Sequence, residues 1–306
     1  MQKPYVVAIG DCGIDRYYNC TRWPQLGEQF GVAPAATYVG GLVANASRTI
    51  AAYGIPTYFF GATPSDGEGT YVVENMKAAG LDMSLHRVID GEPLSVCWIF
   101  TVPSGERTII YAERNVTPLE LSEEQQQAIF GAEYVYTTLG GMLRYSNTKE
   151  VFTKARELGV KIACDFEAYS GGREEDLVNY VDIVLINDHD FEILSKGADE
   201  TTFVNQLLDN GAQTVVITKG VDGASAYTKE EVVHCSSYKV EVVGTTGAGD
   251  TFNSSFVSCM LWGKSLQEAC EFAAAAAGRA VTQLGPSGGV TPVENVLEFK
   301  ATHELR

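Results

Sequence analysis

Short apolar runs alternate along the chain with stretches of helical periodicity. Residues 5–10 read YVVAIG, an uninterrupted apolar run typical of a strand buried on both faces of a sheet. Leu42, Ala46 and Ile50 then recur on one face of a predicted helix that stops at Gly54. Further strands are predicted at 56–62, 133–139, 160–166, 181–187 and 213–220. Further helices are predicted near 68–79, 122–130, 145–158 and 188–209.

This alternation predicts an α/β fold in which helices cover both faces of a mostly parallel central sheet. Ligands of such folds bind beyond the carboxyl ends of the strands. Polar residues that follow predicted strands are therefore the first candidates for a functional site.

Two segments interrupt the alternation. Residues 12–38 hold several aromatic residues among prolines and glycines, without a helical period. Residues 94–112 read as two strands joined by a Pro-Ser-Gly turn. Together the two segments predict a small sheet outside the main one. Because no linker, low-complexity tract or repeat divides the chain, we expect one domain over 1–306 with these segments inserted as a lid.

The overall charge of the chain disfavours some classes of binding partner. The 306 residues include 22 Lys and Arg against 39 Asp and Glu, which gives a net charge of -17. The resulting field repels nucleic acids and anionic lipid surfaces, so neither is expected as a partner. A local site can still attract a small anion against this mean field.

The cysteines and the apolar runs predict the cellular compartment of the protein. Seven cysteines are widely spaced without a CxxC pair, which disfavours a zinc site or a disulfide framework and predicts a reducing, cytoplasmic location. The N-terminal apolar run is too short for a signal peptide. No stretch approaches the roughly 20 apolar residues of a membrane span, so no membrane anchor is expected.

The stretch GTTGAGDTF at 244–252 carries the clearest candidate chemistry. After Asp250, the apolar residues Phe252, Phe256 and Met260 recur every four positions and predict a helix that begins near Asp250. A Gly-rich turn with an acid that complements the helix dipole accounts for these residues by themselves. The alternative is an anion hole, in which the glycines let a phosphate approach unpaired N–H groups beside Asp250 as a base.

Two nearby sequences imitate nucleotide-binding motifs. GKS at 263–265 lacks the first glycine of a phosphate loop because that position is Ser258, and it ends a helix instead of opening one. Gly247 and Gly249 are followed by Phe252, so the dinucleotide fingerprint GxGxxG is also absent.

Other candidate residues open helices or follow predicted strands. Gly40 and Gly41 precede a helix that carries Asn45, whose amide offers a donor and an acceptor to sugar hydroxyls. An ordinary turn and helix start is the alternative. Asp15, just after the first strand, is either a further sugar contact or a loop acid.

Two more segments follow strands. NDHD at 187–190 offers oxygens that suit hydrated Mg²⁺ near phosphates, or it caps a helix at Asn187 or Asp188. TKGVDG at 218–223 turns on Gly220 and Gly223, as a simple hairpin would.

Taken in order, these motifs resemble the ribokinase family of carbohydrate kinases (PfkB type). The order is GG…N near the start, N-x-x-acid past the middle, T-x-G-x-x-G next and GAGD near the end. The resemblance spans Asp11 to about Val290, and TTGAGDTFNSSF is its strongest match. It implies a ribokinase-like three-layer α/β/α domain with a small β-sheet lid over the sugar.

The resemblance also implies a role for each matching residue. Asp250 matches the base that deprotonates the acceptor hydroxyl, and Asp190 matches a Mg²⁺ site that acts through water. The anion hole is matched by Gly247, Ala248 and Gly249. The sugar site is matched by Asp15, Gly40, Gly41 and Asn45. The ATP site is matched by Asn187, Thr218, Lys219, Gly220, Gly223, Thr246, Gly247 and Gly249. The helix dipole is expected to keep Asp250 ionised, and lid closure to exclude water.

Three positions depart from the family pattern. Asp190 replaces the usual Glu and shortens the reach toward Mg²⁺ by one methylene. Arg114 stands before Asn115 where many members have a small residue. We expect Arg114 to bind a carboxylate or phosphate of the substrate, unless it and Arg107 pair with surface acids. Gly244 replaces an acid, so dependence on a monovalent cation such as K⁺ is in doubt; alternatively Gly244 only permits a positive φ.

The sequence therefore predicts an ATP- and Mg²⁺-dependent kinase that phosphorylates a hydroxyl, often the primary one, of a small sugar or sugar derivative. A nucleoside kinase of the same fold is an alternative, with its base stacked on Tyr17, Tyr18 or Trp23. A catalytically silent sugar-binding regulator is a second alternative. A monomer and a homodimer paired through the lid strands both fit the sequence.

Overall fold

The computed structural model describes residues 4–104, 106–112, 114, 116–167 and 177–306. Its strands are β1 Val6–Ile9, β2 Gly13–Asn19, β3 Ala33–Gly40, β4 Thr57–Phe60, β5 Ala62–Thr63, β6 Arg87–Val88, β7 Ser95–Thr101, β8 Arg107–Tyr111, β9 Tyr134–Thr138, β10 Lys161–Asp165, β11 Ile183–Asn187, β12 Thr214–Thr218, β13 Ala224–Tyr227 and β14 Val232–Cys235. Its helices are α1 Leu42–Ala52, α2 Gly67–Ala78, α3 Glu123–Phe130, α4 Leu139–Leu143, α5 Thr148–Glu157, α6 Asp188–Leu194, α7 Glu200–Asp209, α8 Ala248–Leu261, α9 Leu266–Ala280 and α10 Val293–Thr302.

In the described part of the chain the main sheet has eight strands, in the order β14-β13-β12-β11-β10-β9-β1-β4. The six strands from β12 to β4 in this order run parallel, and β13 and β14 are antiparallel at one edge. The predicted α/β fold with a mostly parallel sheet is confirmed. The antiparallel edge was not predicted from the sequence.

Helices cover both faces of this sheet and make it the middle of three layers. On one face, Val43 of α1 and Phe256 of α8 belong to a core that also includes α9 and α10. On the other face, Ile129 of α3, Phe152 of α5 and Val204 of α7 form a second core. Strand β1 is buried on both sides because each face of the sheet is covered, which explains its uninterrupted apolar run.

The two inserted segments form the predicted small sheet, in the order β3-β2-β7-β8. The β2–β7 pair is parallel, and the other two pairs are antiparallel. Strand β8 is an exposed edge, with Ile109, Ile110 and Tyr111 each about half exposed. Gly105 of the predicted Pro-Ser-Gly turn and Asn115 lie outside the described residues.

The single helix predicted over 188–209 is wrong, because two helices occupy this region. Lys196 has φ 51° and Gly197 has φ 88°, so two consecutive residues adopt left-handed conformations between α6 and α7. A right-handed helix cannot continue through such a pair. The apolar periodicity runs through the break, because both helices bury a face against the same sheet.

The strand register brings the carboxyl ends of the central strands together at one edge. Thr138 of β9 lies beside Asp165 of β10, and Asn187 of β11 lies beside Thr218 of β12. Candidate polar residues from distant parts of the chain therefore meet at the edge where α/β folds bind ligands. No helix among the described residues is long and apolar enough to cross a membrane, and all seven cysteines are free thiols.

Candidate active site

Helix α8 begins at the predicted Gly-rich turn, with Gly247 as its N-terminal cap. Gly247 has φ 78°, and a Cβ there would lie 2.5 Å from the Pro286 carbonyl oxygen. Only glycine satisfies both the left-handed backbone and this close approach. The Ala248 N–H donates to the Thr245 oxygen at 3.3 Å, which leaves the Gly249 side of the turn more open to an anion. No atom would lie within 4 Å of a Cβ at Gly249.

Asp250 lies in the first turn of α8 and is only 6% exposed. Its Oδ2 accepts a hydrogen bond from Asn45 Nδ2 at 2.7 Å. Burial raises the pKa of Asp250 to about 7, and the Asn45 hydrogen bond opposes this rise only in part. The raised pKa opposes the expectation that the helix dipole keeps Asp250 ionised, because desolvation of the carboxylate favours its protonated form.

Three further acids surround Asp250. Burial raises the pKa of Asp165 to about 7, and the charge of Asp250 adds to this rise. Burial also raises the pKa of Glu167 to about 7 and that of Asp15 to about 6. Asn253, one turn after Asp250, donates to Asp165 Oδ2 at 2.9 Å. Asp165 and Glu167 were missed from the sequence, although Asp165 is the acid that ends a predicted strand.

The predicted sugar-site residues lie between the lid and helix α1. A Cβ on Gly40 would overlap the Asp15 carboxylate, so glycine at this position leaves room for the acid. Gly41 caps α1 with φ 109°. Asp15, Gly40 and Asn45 are brought together beside Asp250, as the sequence predicted. Asn45 Nδ2 already donates a hydrogen bond to Asp250, however, so the amide cannot offer all of its donors and acceptors to a sugar.

The two lid arginines have different partners. Arg114 donates to the Asp11 carboxylate and, at 3.3 Å, to the Pro93 oxygen. The surface-acid alternative therefore describes Arg114. Arg107 of β8 instead donates to the Thr245 hydroxyl and lines the cavity on the nucleotide side. The lid edge thus reaches the loop that precedes helix α8.

A cavity of about 500 Å³ lies on the other side of the α8 N-terminus. One wall carries the predicted nucleotide residues, and the opposite wall is apolar, which suits the flat face of a base. The polar wall includes Asn187, Thr218, Gly220, Gly223, Ala248 and Gly249. The apolar wall includes Tyr238, Val240, Ala274 and Ala277.

The Lys219 side chain does not join this cavity. Its Nζ donates to Glu200 Oε1 at 2.8 Å and to Ser225 Oγ at 3.2 Å. The Lys219 side chain is therefore held by Glu200 and does not line the cavity, and the predicted role of Lys219 in ATP binding stays a prediction. The turn at Gly220–Asp222 connects antiparallel strands, so the hairpin interpretation of this segment is confirmed.

Asn187 and Asp190 bond to each other at the start of α6. Asn187 Oδ1 accepts from the Asp190 N–H at 2.8 Å, and Asn187 Nδ2 donates to Asp190 Oδ2 at 2.6 Å. The helix-cap interpretation of Asn187 is therefore confirmed, while Asp188 lines the cavity. The described residues contain no group of three or more acidic, His or Cys side chains that could hold a metal ion directly. These oxygens fit Mg²⁺ that keeps most of its water.

Gly244 and Thr246 lie in the loop before the anion hole. Gly244 does not have a positive φ, so the interpretation that it serves only to permit one is wrong. A Cβ there would lie 3.2 Å from the Gln283 carbonyl oxygen, a separation that a small shift of the chain can relieve. A side chain at position 244 is therefore compatible with the backbone conformation.

The lid aromatics proposed to stack on a base contact other rings. Tyr17 packs edge-on against Tyr38, and Tyr18 stacks on Phe100, both with ring centroids 5.5 Å apart. Trp23 also packs against Phe100. Each of these rings therefore has an aromatic neighbour, while Trp23 stays 47% exposed.

Comparison with known proteins assigns the chain to a family. The model of the pfkB family carbohydrate kinases matches residues 3–292. A 5-dehydro-2-deoxygluconokinase of Bacillus velezensis is 29% identical, over 98% of this chain and 96% of its own. A ribokinase of Staphylococcus aureus is 28% identical, over 95% and 98% respectively.

The fold agrees with solved structures of related kinases. The structure of Arabidopsis thaliana ribokinase complexed with ribose and ATP has a TM-score of 0.84 and 25% identity, covering 98% of this chain and 99% of its own. A putative ribokinase II of E. coli in complex with ATP and Mg²⁺ also has a TM-score of 0.84, and its 22% identity supports the fold alone.

Proposed function

The chain belongs to the pfkB family of carbohydrate kinases, and we propose that it transfers the γ-phosphoryl group of ATP to a hydroxyl of a small sugar or sugar acid. One observation carries this proposal. Asp250 and the Gly-rich cap of α8 lie between a base-sized cavity and the Asp15–Asn45 cluster. A phosphoryl donor on one side and a hydroxyl acceptor on the other would meet at this carboxylate.

The proposed mechanism follows from the residues at this junction. Asp250 accepts the proton of the acceptor hydroxyl while that oxygen bonds to the γ-phosphorus, and the bond from this phosphorus to the β-γ bridging oxygen breaks to release ADP. Charge develops on the transferring phosphoryl oxygens. The N–H groups at the Gly247–Gly249 turn would stabilise that charge, together with the helix dipole, once the Ala248 N–H exchanges the Thr245 oxygen for a phosphoryl oxygen. Asp15 would orient the acceptor.

ATP and Mg²⁺ are the cofactors that these residues fit. The apolar wall would hold the adenine, and the Thr218–Gly223 turn the ribose and phosphates. Asp188 and Asp190 would contact hydrated Mg²⁺, which neutralises phosphate charge when bound. Arg107 would contribute positive charge from the lid, because it already reaches the loop beside the anion hole.

A substrate screen tests the proposal. Purified protein, ATP and Mg²⁺ are combined with neutral sugars, sugar acids and nucleosides, and ADP release is followed. We expect release with a sugar or sugar acid and none with a nucleoside. Release with nucleosides alone would support the alternative kinase. Sugar binding without ADP release from any compound would support the silent regulator.

Arg114 should confer a preference for an acidic sugar. The relatives include both a 5-dehydro-2-deoxygluconokinase and a ribokinase, so acidic and neutral substrates are both candidates. A substrate carboxylate can replace Asp11 as the partner of Arg114. We expect the acidic sugar to outcompete its neutral analogue, and Arg114→Ala to abolish the preference. Arg16→Ala is the matched control, because Arg16 is a lid arginine paired with Glu68. Equal use of both sugars by the wild type would contradict the prediction.

Gly244 should weaken activation by K⁺. An acid at this position would add negative charge and two oxygens that suit a monovalent cation beside the anion hole. We expect weak K⁺ activation of the wild type and a larger response in Gly244→Asp, measured against Na⁺ at constant ionic strength. Gly244→Asn controls for the size of the side chain. Strong K⁺ activation of the wild type would show that the carboxylate is not needed.

A further inference from the structure

Arg48 is a buried arginine at the junction of the lid, helix α1 and the candidate base. It lies one helical turn after Asn45 and is 7% exposed. Its Nη2 donates to Asn45 Oδ1 at 2.5 Å and to the Val39 oxygen at 2.9 Å. Nη1 donates to Ser287 Oγ at 3.1 Å, and Nε to the Ala44 oxygen at 3.3 Å. The guanidinium therefore holds four groups from three parts of the chain.

These bonds fix which way the Asn45 amide faces. An asparagine amide presents an acceptor oxygen on one side and donor N–H groups on the other. Because Arg48 can only donate, it holds Oδ1 on its own side and leaves Nδ2 directed at Asp250, at 2.7 Å. Without Arg48, the amide could turn over and present its oxygen to the carboxylate, which would lose the hydrogen bond and repel the charge.

Arg48 also supplies positive charge to an acidic site. Burial lowers the pKa of Arg48, while the charges of Asp250 and Asp15 raise it and favour the charged form. The ionisable groups that act on Asp250 come from α1, the lid and the strand ends. They are Arg48, Asp15, Glu167, Asp165 and Tyr136. Arg48 is the cation of this set, so its removal should leave the carboxylates to repel one another.

We propose that Arg48 is a positioning residue for phosphoryl transfer, which orients the Asn45 amide toward Asp250 and connects the base to the lid strand through the Val39 carbonyl. The inference rests on the proposed role of Asp250 as the base. Arg48 touches neither reactant and acts through Asn45.

The test combines Arg48→Met, which removes the charge and the bonds, with Arg48→Lys, which keeps only the charge. At saturating ATP and sugar, we expect Arg48→Met to lower kcat roughly 10- to 100-fold, the range for loss of a hydrogen bond to a charged group. The KM for ATP should change less than about twofold, since the nucleotide cavity is separate, whereas a general loss of structure would move both. The acid limb of kcat should move to higher pH in Arg48→Met and less in Arg48→Lys.

A double-mutant cycle isolates the connection through Asn45. In an Asn45→Ala background, Arg48→Met should cost a much smaller factor in kcat, because the amide that it orients is gone. Additive losses would overturn the inference. Arg279→Met is the control for the loop that Ser287 belongs to, since Arg279 donates to the Gly288 oxygen at 3.1 Å. An equal loss in Arg279→Met would also overturn it.

Thermal unfolding and ADP binding show whether each variant is folded. If Arg48→Met does not fold, Arg48→Lys carries the test through the same cycle, and wild-type kcat with an unmoved pH profile in that variant would overturn the inference. Asp250→Asn is measured alongside. Nearly full activity of Asp250→Asn would refute the proposed base, whereas an inactive Asp250→Asn with unaffected Arg48 variants would refute the inference alone.

Discussion

Replacing Asp250 with asparagine should lower kcat by roughly 10²–10⁴-fold, the usual consequence of losing a general base. Asparagine keeps the shape of the side chain but cannot accept the proton of the acceptor hydroxyl. Affinity for ATP should change little, because the cavity lining includes Ala248, Gly249 and Phe252 but not Asp250. The measurement is kcat at saturating sugar, with ADP binding followed separately by calorimetry.

Asp165→Asn provides the comparison, because Asp165 is also a buried acid whose pKa is raised to about 7. It bonds to Asn253 instead of Asn45. Activity of Asp250→Asn within a few-fold of the wild type would remove Asp250 from the base role. A larger loss in Asp165→Asn than in Asp250→Asn would assign that role to Asp165.

The pH dependence of wild-type activity follows from the burial of Asp250. A carboxyl with a raised pKa is protonated, and cannot act as a base, below that pKa. With the pKa of Asp250 at about 7, kcat/KM for the sugar, which reports the pKa values of the free enzyme, should fall as the pH decreases through about 7, rather than near the ordinary value of 3.8. Asp165 and Glu167 interact with Asp250, so the limb reports the titration of the coupled set. An acid limb near pH 4 would contradict the desolvation argument.

Gly247→Ala should be the most damaging small substitution in the anion hole. A left-handed conformation costs an L-residue about 1–2 kcal/mol. The new Cβ would also lie 2.5 Å from the Pro286 oxygen, so the turn must move. Misplacing the N–H groups of an oxyanion-type site typically costs about 10²–10³ in kcat. We therefore expect a loss of both stability and activity, measured by thermal unfolding and by ADP release.

Gly249→Ala is the matched control two residues further on. Gly249 lies within the helix and a Cβ there meets no atom within 4 Å, so stability should be retained or rise, because alanine favours helix over glycine by about 1 kcal/mol. If the space beside Gly249 receives the transferring phosphoryl group, Gly249→Ala should lower kcat without lowering the unfolding temperature. Equal behaviour of the two variants in both measurements would contradict the assignment of the anion hole.

The parallel strands of the main sheet, most helices and the lid could be predicted from the sequence, because a buried face leaves an apolar pattern in the local sequence. A strand covered on both faces is apolar along its buried length, and 5–10 and 183–186 satisfy this requirement by themselves. The helix after GAGD follows from the four-residue recurrence of Phe252 and Phe256. The break after Ser195 was missed because the apolar pattern runs through the left-handed pair, although Gly197 and the helix cap Asp199 mark it in the sequence.

The sequence by itself determined the residue types at the site and the order in which they occur. Only the tertiary structure decided which polar side chains become partners and how strongly they are desolvated. Asn45 meets Asp250 from 205 positions away, and Arg48 arrives with it because both lie on α1. Lys219 pairs with Glu200 and does not line the cavity. The pKa of Asp250 depends on how deeply α1 and α8 bury it, and no local pattern of residues specifies the depth of that burial.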